Sequence, residues 1–452
     1  MQGYASREAA LDILLEQEDT GAFLKDLFAS RLEGLPKPDR GLVREICLGV
    51  IRNLSLLDYN IGLYAARKPG RGPLRAILRL TAYQIFFLET ADFAAVNVGV
   101  ELAKRRESAH QGGFANAVLK KMAANGLRKM PGETLKALAV NHSHPEWLVR
   151  RWHKRLGPKG LFRALDRNNQ EAPLWLRVNP VRSTVAEAVA ALSALGAETA
   201  ADADAPLYLR LAGKGGGEAA LHSDLFRDGK IAFQDPAAWL IAALADWRTD
   251  RTLLDLCSAP GGKAACLAER AGYLGDADSD AVPIVCGDIS PRRLARIRDA
   301  IDRLGHKRLA PVAMDPAFPA LRNRFDLVVV DAPCSNLGVL RRRPEARWNR
   351  SPEDLTRLAA LQRSLLNSAA ALAAPGGCIL YATCSPEDEE TAEVVAAFLA
   401  GHPDWEVDDA AAYLPAWAVK KKFLWLHPGE TEYDGFFAAR LIRKGEAGKS
   451  YP

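Results

Sequence analysis

The stretch Tyr381-Ala382-Thr383-Cys384-Ser385-Pro386 follows a turn, Pro375-Gly376-Gly377, and a short apolar run, Cys378-Ile379-Leu380, that reads as a strand. Cys384 therefore sits just past the carboxyl end of a buried strand, the edge of an open α/β sheet where ligands bind. A thiol there is either a packed small hydrophobe or a nucleophile. Taken alone the stretch favours packing, because free cysteine is among the most buried residue types. A second thiol stands in a similar place. Asp331-Ala332-Pro333-Cys334-Ser335 closes the apolar run 327–330, and a carboxylate at such a strand end can hydrogen-bond the edge of a pyrimidine.

Ser258-Ala259-Pro260-Gly261-Gly262-Lys263 joins another buried strand, Leu253-Leu254-Asp255-Leu256-Cys257, to the next helix. Two glycines at a helix N-terminus let the backbone approach a ligand closely. The turn is not a phosphate loop: G-x-x-x-x-G-K-[ST] needs Gly at 257 and Ser or Thr at 264, where the chain has Cys257 and Ala264. G-x-G-x-x-G is absent as well, which argues against a nicotinamide. The turn suits a nucleoside without phosphate. Asp288 ends the next strand, where it either accepts from two ribose hydroxyls or caps the helix beginning near Pro291. Asp315 ends a third, facing an adenine edge or serving as a turn residue before Pro316. Downstream, Arg341-Arg342-Arg343-Pro344-Glu345-Ala346-Arg347-Trp348 reads as a basic loop with an aromatic. Such a loop either contacts a nucleic-acid backbone and stacks on a base, or is a solvated charged surface.

These residues need a parallel sheet to bring them to one edge. From Asp235 onward, strands at 253–257, 284–286, 310–313, 325–330 and 377–382 alternate with helical stretches at 292–304, 352–374 and 389–399. Strands spaced by helices imply βαβ units. The expectation is a Rossmann-like α/β domain over 235–445, with a mostly parallel sheet of seven strands and a tail at 446–452. Residues 172–234 mix an alternating strand (Pro173–Val178), an Ala-rich helix and two further short strands, giving a small α+β subdomain. Residues 1–130 carry only helical periodicity, with Leu11, Leu14, Leu42, Ile46, Ile77 and Leu80 among the repeating apolar positions. They form an all-helical domain. Residues 131–171 read as a helical linker with His144-Pro145-Glu146-Trp147 at its start; Trp147 there belongs more naturally to a core than to a base-stacking face.

A chain of 452 residues is too long for one core. Its seven cysteines are scattered, without a C-x-x-C pair, which argues against a disulfide framework or structural zinc and for a reducing cytoplasm. No apolar run approaches a membrane span. The net charge of +5 is uneven: residues 1–172 hold 27 Lys+Arg and 18 Asp+Glu, so +9, leaving −4 for the rest. A basic first third suits an acidic partner such as RNA, and equally a solvated helical surface.

Together, Leu254–Lys263, Asp331–Ser335 and Tyr381–Ser385 resemble the Sun/Fmu-type RNA cytosine-5 methyltransferases in order and spacing. The first domain resembles NusB, including Gly113-Phe114-Ala115-Asn116-Ala117-Val118-Leu119-Lys120-Lys121. The combination resembles the bacterial small-subunit ribosomal RNA cytosine-5 methyltransferases over nearly the whole chain, out to Asp434-Gly435-Phe436-Phe437. The resemblance implies S-adenosyl-L-methionine as cofactor, held by Cys257, Ser258, Ala259, Pro260, Gly261, Gly262, Lys263, Asp288 and Asp315, with Asp331 at the same pocket. It implies that Asp331 binds the target base, that Cys384 is the nucleophile, and that Cys334 assists product release. Lys263 and nearby helix N-termini would favour the thiolate. It further implies an RNA partner, ribosomal RNA foremost, a monomer, and no metal. The chain departs from the family at Ala264 (Thr is usual), Ala382 (Ser is usual) and Asn336-Leu337 (Gly-Thr is common), none of which removes a needed proton or charge. The same chemistry on transfer RNA or another ribosomal position stays open. A non-catalytic RNA-binding assembly factor is disfavoured by the intact Cys384, Cys334, Asp331 and Lys263.

Overall fold

The computed structural model describes residues 3–88, 91–213, 215–275, 282–322 and 324–444; the expected tail at 446–452 lies outside them. The chain forms two units, one of residues 1–171 with 340–350, the other of residues 172–339 with 351–452.

The first unit is helical throughout its described residues: Tyr4–Thr20, Leu24–Arg31, Lys37–Arg52, Leu54–Tyr64, Pro73–Phe87, Asp92–Arg106, Ala109–Asn125, Leu135–Asn141 and Glu146–Asn169. Its core draws on the apolar periodicity, with Leu11, Ile46, Ile77, Leu80, Leu102 and Leu119 all fully buried. Residues 131–171 are tied into this unit rather than standing apart. The Leu56 N–H donates to Ser143 Oγ at 3.1 Å, and Asn141 Nδ2 donates to the Met130 carbonyl at 3.0 Å. Within Glu146–Asn169 the backbone breaks at Gly157, whose φ of 65° precedes Pro158. A left-handed residue before a proline interrupts the helical ladder, and glycine takes that conformation at little cost.

The segment Leu340–Arg350 belongs to this helical unit, and the burial of Arg341, Glu345 and Arg347 overturns the reading of 341–348 as a solvated loop. Arg347 is fully buried and donates to the carbonyls of Ser143 (3.0 Å) and Asn168 (3.1 Å) and to Asn169 Oδ1 (2.7 Å). Burial, then the nearby Arg52 charge, push its guanidinium down to about 9. Trp348 Nε1 donates to the Ile51 carbonyl at 2.9 Å. Glu345 Oε1 accepts from the Leu24 N–H at 3.1 Å, at the first turn of helix Leu24–Arg31. Trp348 also walls a cavity of about 200 Å³ with Leu14, Val50 and Arg79. Local composition misleads here because these charges meet their partners some 180 to 320 positions away.

The second unit holds two sheets. Strands β1 (Leu174–Val178), β2 (Glu198–Ala201), β3 (Tyr208–Ala212) and β4 (Ile231–Phe233) form an antiparallel sheet in the order β2-β3-β1-β4. Helix Val185–Ala194 is set on it by a capping box between Thr184 and Glu187. The larger sheet contains β5 (Leu253–Asp255), β6 (Ile284–Asp288), β7 (Leu309–Ala313), β8 (Phe325–Asp331), β9 (Ala373–Thr383), β10 (Trp405–Asp408), β11 (Val419–Lys420), β12 (Phe423–Leu426) and β13 (Phe436–Arg443). Its order is β11-β12-β13-β9-β8-β5-β6-β7, with β10 also on β13. The parallel core is β7-β6-β5-β8-β9; β13 runs antiparallel beside β9. Nine strands stand where seven were expected, because the short β11/β12 hairpin carries too few residues to register as a pattern. Leu253, Leu254, Val328, Val329, Val330, Ile379 and Leu380 are fully or almost fully buried. Continuous apolar runs of this kind mark a parallel sheet covered on both faces.

Candidate active site

Strand order reverses between β5 and β8, since β6 lies on one side of β5 and β8 on the other. A doubly wound sheet opens a crevice at that point, outside the carboxyl ends of the strands. After β5 the chain turns tightly: the Gly261 N–H donates to the Ser258 carbonyl at 2.6 Å. Gly261 has φ 92° at the N-cap of helix Gly262–Tyr273, a left-handed position that explains one of the two glycines. The turn is pinned from three sides. The Ser258 N–H donates to the Gly287 carbonyl (2.8 Å), and Arg293 Nη2 donates to the Ala259 carbonyl (2.7 Å). Arg177 Nη1 and Gln234 Nε2 both donate to the Gly262 carbonyl (3.1 and 2.9 Å). Arg177 comes from the small sheet and is buried against Glu269, 2.6 Å from Oε2 and 2.9 Å from Oε1. His306 Nε2 lies 2.7 Å from the same carboxylate. The α+β subdomain thus reaches the glycine turn through the Arg177 guanidinium and the Gln234 amide.

The Asp255 carboxylate lies at this turn, 1% exposed. Its two oxygens and the Ser258 hydroxyl make no hydrogen bond of normal geometry among the described residues. Burial first, then the Asp331 charge, push the Asp255 carboxyl up to about 7. A buried carboxylate with the Ser258 hydroxyl and the Cys257 N–H as its near donors keeps acceptor capacity for a ligand that brings its own amino or hydroxyl donors. Asp288 is 2% exposed at the end of β6. Its Oδ1 accepts the Ser290 N–H at 2.9 Å, and Oδ2 lies 3.4 Å from Arg293 Nη2. The helix cap is Ser290, whose hydroxyl accepts from the Arg293 N–H, so capping does not account for Asp288. Asp315 is different. It is exposed, past the end of β7, and its Oδ1 accepts from the Ala317 N–H at 2.9 Å, the same bond to the N–H two residues on that Asp288 makes.

On the other side of the crevice, Lys263 Nζ donates to Asp331 Oδ2 at 2.6 Å, joining the β5 turn to the end of β8. Burial works to lower the Lys263 ammonium, but the charge and hydrogen bond of Asp331, with Cys384 adding, raise it above its ordinary value. The lysine is therefore a fixed cation, 4.9 Å from the centre of the Phe436 ring.

Cys334 and Cys384 come together. Their Sγ atoms are 3.0 Å apart, and both thiols are free. The hydrogen bond with Cys384 and burial hold the Cys334 thiol well above its ordinary value, and either sulfur can donate across the pair. Cys384 Sγ also lies 3.3 Å from Asn336 Oδ1, while Asn336 Nδ2 donates to the Cys334 carbonyl at 3.0 Å. Asn336 has φ 64°. Asparagine is among the few non-glycine residues that tolerate this conformation, which accounts for its standing where a glycine is common. The loops are laced by backbone: the Gly338 N–H donates to the Cys384 carbonyl and the Gly435 N–H to the Gly338 carbonyl, each at 2.9 Å. Side chains cannot fit there, since a Cβ on Gly338 would stand 2.4 Å from the Gly435 oxygen and 2.7 Å from that of Cys384.

A close thiol pair, a lysine–carboxylate pair and a glycine turn thus share one crevice, an arrangement suited to covalent attack beside a bound nucleoside. Residues 242–442 match the family described as 16S rRNA methyltransferase RsmB/F. Residues 4–124 match the NusB family, and residues 144–216 the ferredoxin-like domain of RsmF/B-like methyltransferases. The probable ribosomal RNA small subunit methyltransferase B of Bacillus subtilis is 32% identical, over 98% of this chain and 100% of that protein. The chain belongs to the RsmB/F methyltransferase family. The ribosomal RNA small subunit methyltransferase B of Klebsiella pneumoniae is also 32% identical, over 97% of this chain and 98% of that one. The solved structure of PH0851 shares the fold, with a TM-score of 0.81 and 24% identity over 98% of this chain and 99% of its own. As in other RsmB/F methyltransferases the cofactor is S-adenosyl-L-methionine. Among the described residues no cluster of three His, Cys, Asp or Glu side chains suits a metal ion, and no helix is long and apolar enough to cross a membrane.

Several site residues escape a sequence reading. Asp255 hides inside a strand whose other residues are apolar. Arg293 is one of several arginines on its helix, and Glu390 ends an acidic run. Only the spacing of Arg293 from the Ser290 cap, one turn into the helix, gives a signal.

Proposed function

We propose that this RsmB/F methyltransferase methylates ring carbon 5 of a cytosine in RNA, most fittingly small-subunit ribosomal RNA, through a covalent bond between Cys384 and the base. The observation that carries this reading is the 3.0 Å approach of Cys334 and Cys384 beside the Lys263–Asp331 pair at the switch point. Carbon 5 of cytosine is a poor nucleophile. Addition of the Cys384 thiolate at ring carbon 6 converts the ring to an enamine and makes carbon 5 nucleophilic, replacing one hard step by two easier ones. Asp331 accepts from the exocyclic amine at the pyrimidine edge. The Lys263 ammonium stands against the negative charge that develops on the ring. S-adenosyl-L-methionine supplies the electrophilic methyl group; the β5 turn, Asp255 and Asp288 are the groups that would hold it, with Asp315 nearby on the same sheet edge. The proton on carbon 5 then passes to a water beside Cys334, or to Cys334 itself once that thiol has given its own proton to solvent. The electron pair left on carbon 5 re-forms the ring double bond and expels Cys384 as thiolate.

The target base must leave its stack or already lie in a single strand. The helical unit supports an RNA substrate through its match to the NusB family and the excess of nine positive charges in residues 1–172. Seven free thiols suit a reducing compartment such as the cytoplasm. With radiolabelled S-adenosyl-L-methionine and ribosomal RNA, Cys384→Ala abolishes methyl transfer and keeps cofactor binding, while Cys334→Ala accumulates an RNA–protein adduct on a denaturing gel. Robust turnover by Cys384→Ala refutes the covalent route, and absence of an adduct removes Cys334 from release. Bisulfite sequencing of RNA from a deletion strain then reads out the modified position.

A further inference from the structure

Glu390 ends the run Glu387-Asp388-Glu389-Glu390, which looks like a solvated acidic patch, yet it is fully buried. It lies in a short 3-10 turn after β9, and its backbone carbonyl accepts the Tyr381 hydroxyl at 2.7 Å. Its carboxylate is a hub. Oε2 lies 2.5 Å from the hydroxyls of both Ser335 and Ser385, which are 3.2 Å from each other. Oε1 accepts the Ser335 N–H at 2.8 Å and Gln362 Nε2 at 3.1 Å. Gln362 Nε2 also donates to the Pro333 carbonyl at 3.0 Å. Ser335, Ser385 and Gln362 are fully buried as well.

Ser335 directly follows Cys334, and Ser385 directly follows Cys384. One carboxylate therefore grips both cysteine loops, each by the residue next to its thiol. Burying a carboxylate is costly unless donors surround it, and four donors here occupy its acceptor capacity. An apolar side chain would fill the same space without that cost but would bind neither loop.

We propose that Glu390 is a positioning residue that sets the separation of the Cys334 and Cys384 thiols by binding Ser335 and Ser385 at once. The inference rests on the covalent reading above. Addition to the base needs one thiol, whereas release needs the second at a defined place across the base. Loosening the hub therefore impairs release more than addition.

Methyl transfer and adduct formation by Glu390→Ala, Glu390→Gln, Cys334→Ala and Cys384→Ala in the full-length chain test the proposal. Glu390→Ala lowers kcat by about 10²-fold, the scale for misplacing a reacting group by about 1 Å, with KM for S-adenosyl-L-methionine within about threefold of the parent. It also accumulates the RNA adduct. Glu390→Gln, of the same shape, presents its oxygen to the Ser335 N–H and Gln362 while its amine faces hydroxyls that can turn to accept, and it recovers most of kcat. Where Glu390→Ala is not recovered folded, the milder Ser335→Ala/Ser385→Ala pair gives the same readings. Parental kcat in Glu390→Ala or in the serine pair overturns the proposal, as does a Glu390→Gln as impaired as Glu390→Ala. If Cys334→Ala yields no adduct, the release role fails, yet a kcat-specific loss restored by Gln still upholds the positioning role.

Discussion

Gly338→Ala isolates the effect of loop position on chemistry, because it adds one methyl group and no charge. The new Cβ would lie 2.7 Å from the Cys384 carbonyl oxygen and 2.4 Å from that of Gly435. Against an ordinary contact of 3.4 Å, Cys384 has to retreat by about 0.7 Å and Gly435 by about 1.0 Å, with both hydrogen bonds through Gly338 stretched or lost. The clashing atoms are backbone, so no side-chain rotation relieves them. A displacement near 1 Å at a reacting group costs about 10²-fold in rate, which corresponds to about 2.7 kcal/mol. The cofactor turn after β5 sits on other strands, so calorimetric binding of S-adenosyl-L-methionine stays near the parental value. Single-turnover methyl transfer to RNA, with circular dichroism to verify folding, measures the effect. A folded Gly338→Ala that turns over at the parental rate refutes the claim that this crossing holds Cys384 in place.

Other perturbations probe the neighbouring groups. Lys263→Met removes the ammonium 2.6 Å from Asp331 in a pair less than a third exposed; at about 1.5–3 kcal/mol for a charged hydrogen bond, kcat falls about 10- to 100-fold, and an undiminished rate refutes its role. Asp255 is neutral more readily in the fold, at about 7 against an ordinary 3.8. Its contribution to stability is therefore fully present below about pH 4 and is lost as pH rises towards 7. In cofactor-free protein, Asp255→Asn abolishes that loss, so its Tm advantage over the parent widens from pH 4.5 to 7.5; parallel curves contradict this. Arg347→Met strands the buried carbonyls of Ser143 and Asn168 and the part-buried Asn169 Oδ1 and lowers stability by about 1–3 kcal/mol, the scale for leaving a buried acceptor unsatisfied. An unchanged thermal unfolding profile refutes that assignment.

How far the site can be read from sequence depends on whether a residue's neighbours are fixed by topology. Cys334 and Cys384 are adjacent because parallel strands β8 and β9 end side by side, a consequence of the βαβ pattern alone. The Gly261 conformation and the Asp331–Lys263 proximity follow from the same rule, since the first turn and the fourth strand flank the switch point. Asp288 had an alternative as a helix cap, a job that Ser290 performs in the folded chain. Asp315 makes the same bond to the N–H two residues on and differs from Asp288 in standing exposed. Glu390 and Arg347 were illegible because charge runs are normally solvated, and the donors of the one and the acceptors of the other lie far along the chain or across loops. The β11/β12 hairpin escaped because strands of two and four residues carry no measurable period.

The segment Leu340–Arg350 has a consequence for the order of synthesis. The helices of the first unit are complete by residue 171, but the piece that carries Arg347 and Trp348 is not made until residue 350. At ordinary translation rates those 179 residues take on the order of 10–35 s. Throughout that interval Ser143, Asn168 and Ile51 lack the donors they have in the finished protein. The helical unit therefore cannot mature as a simple N-terminal module. Its completion waits on a strand-to-helix connection of the second unit, so the finished helical unit certifies that β5 to β8 have already been synthesised.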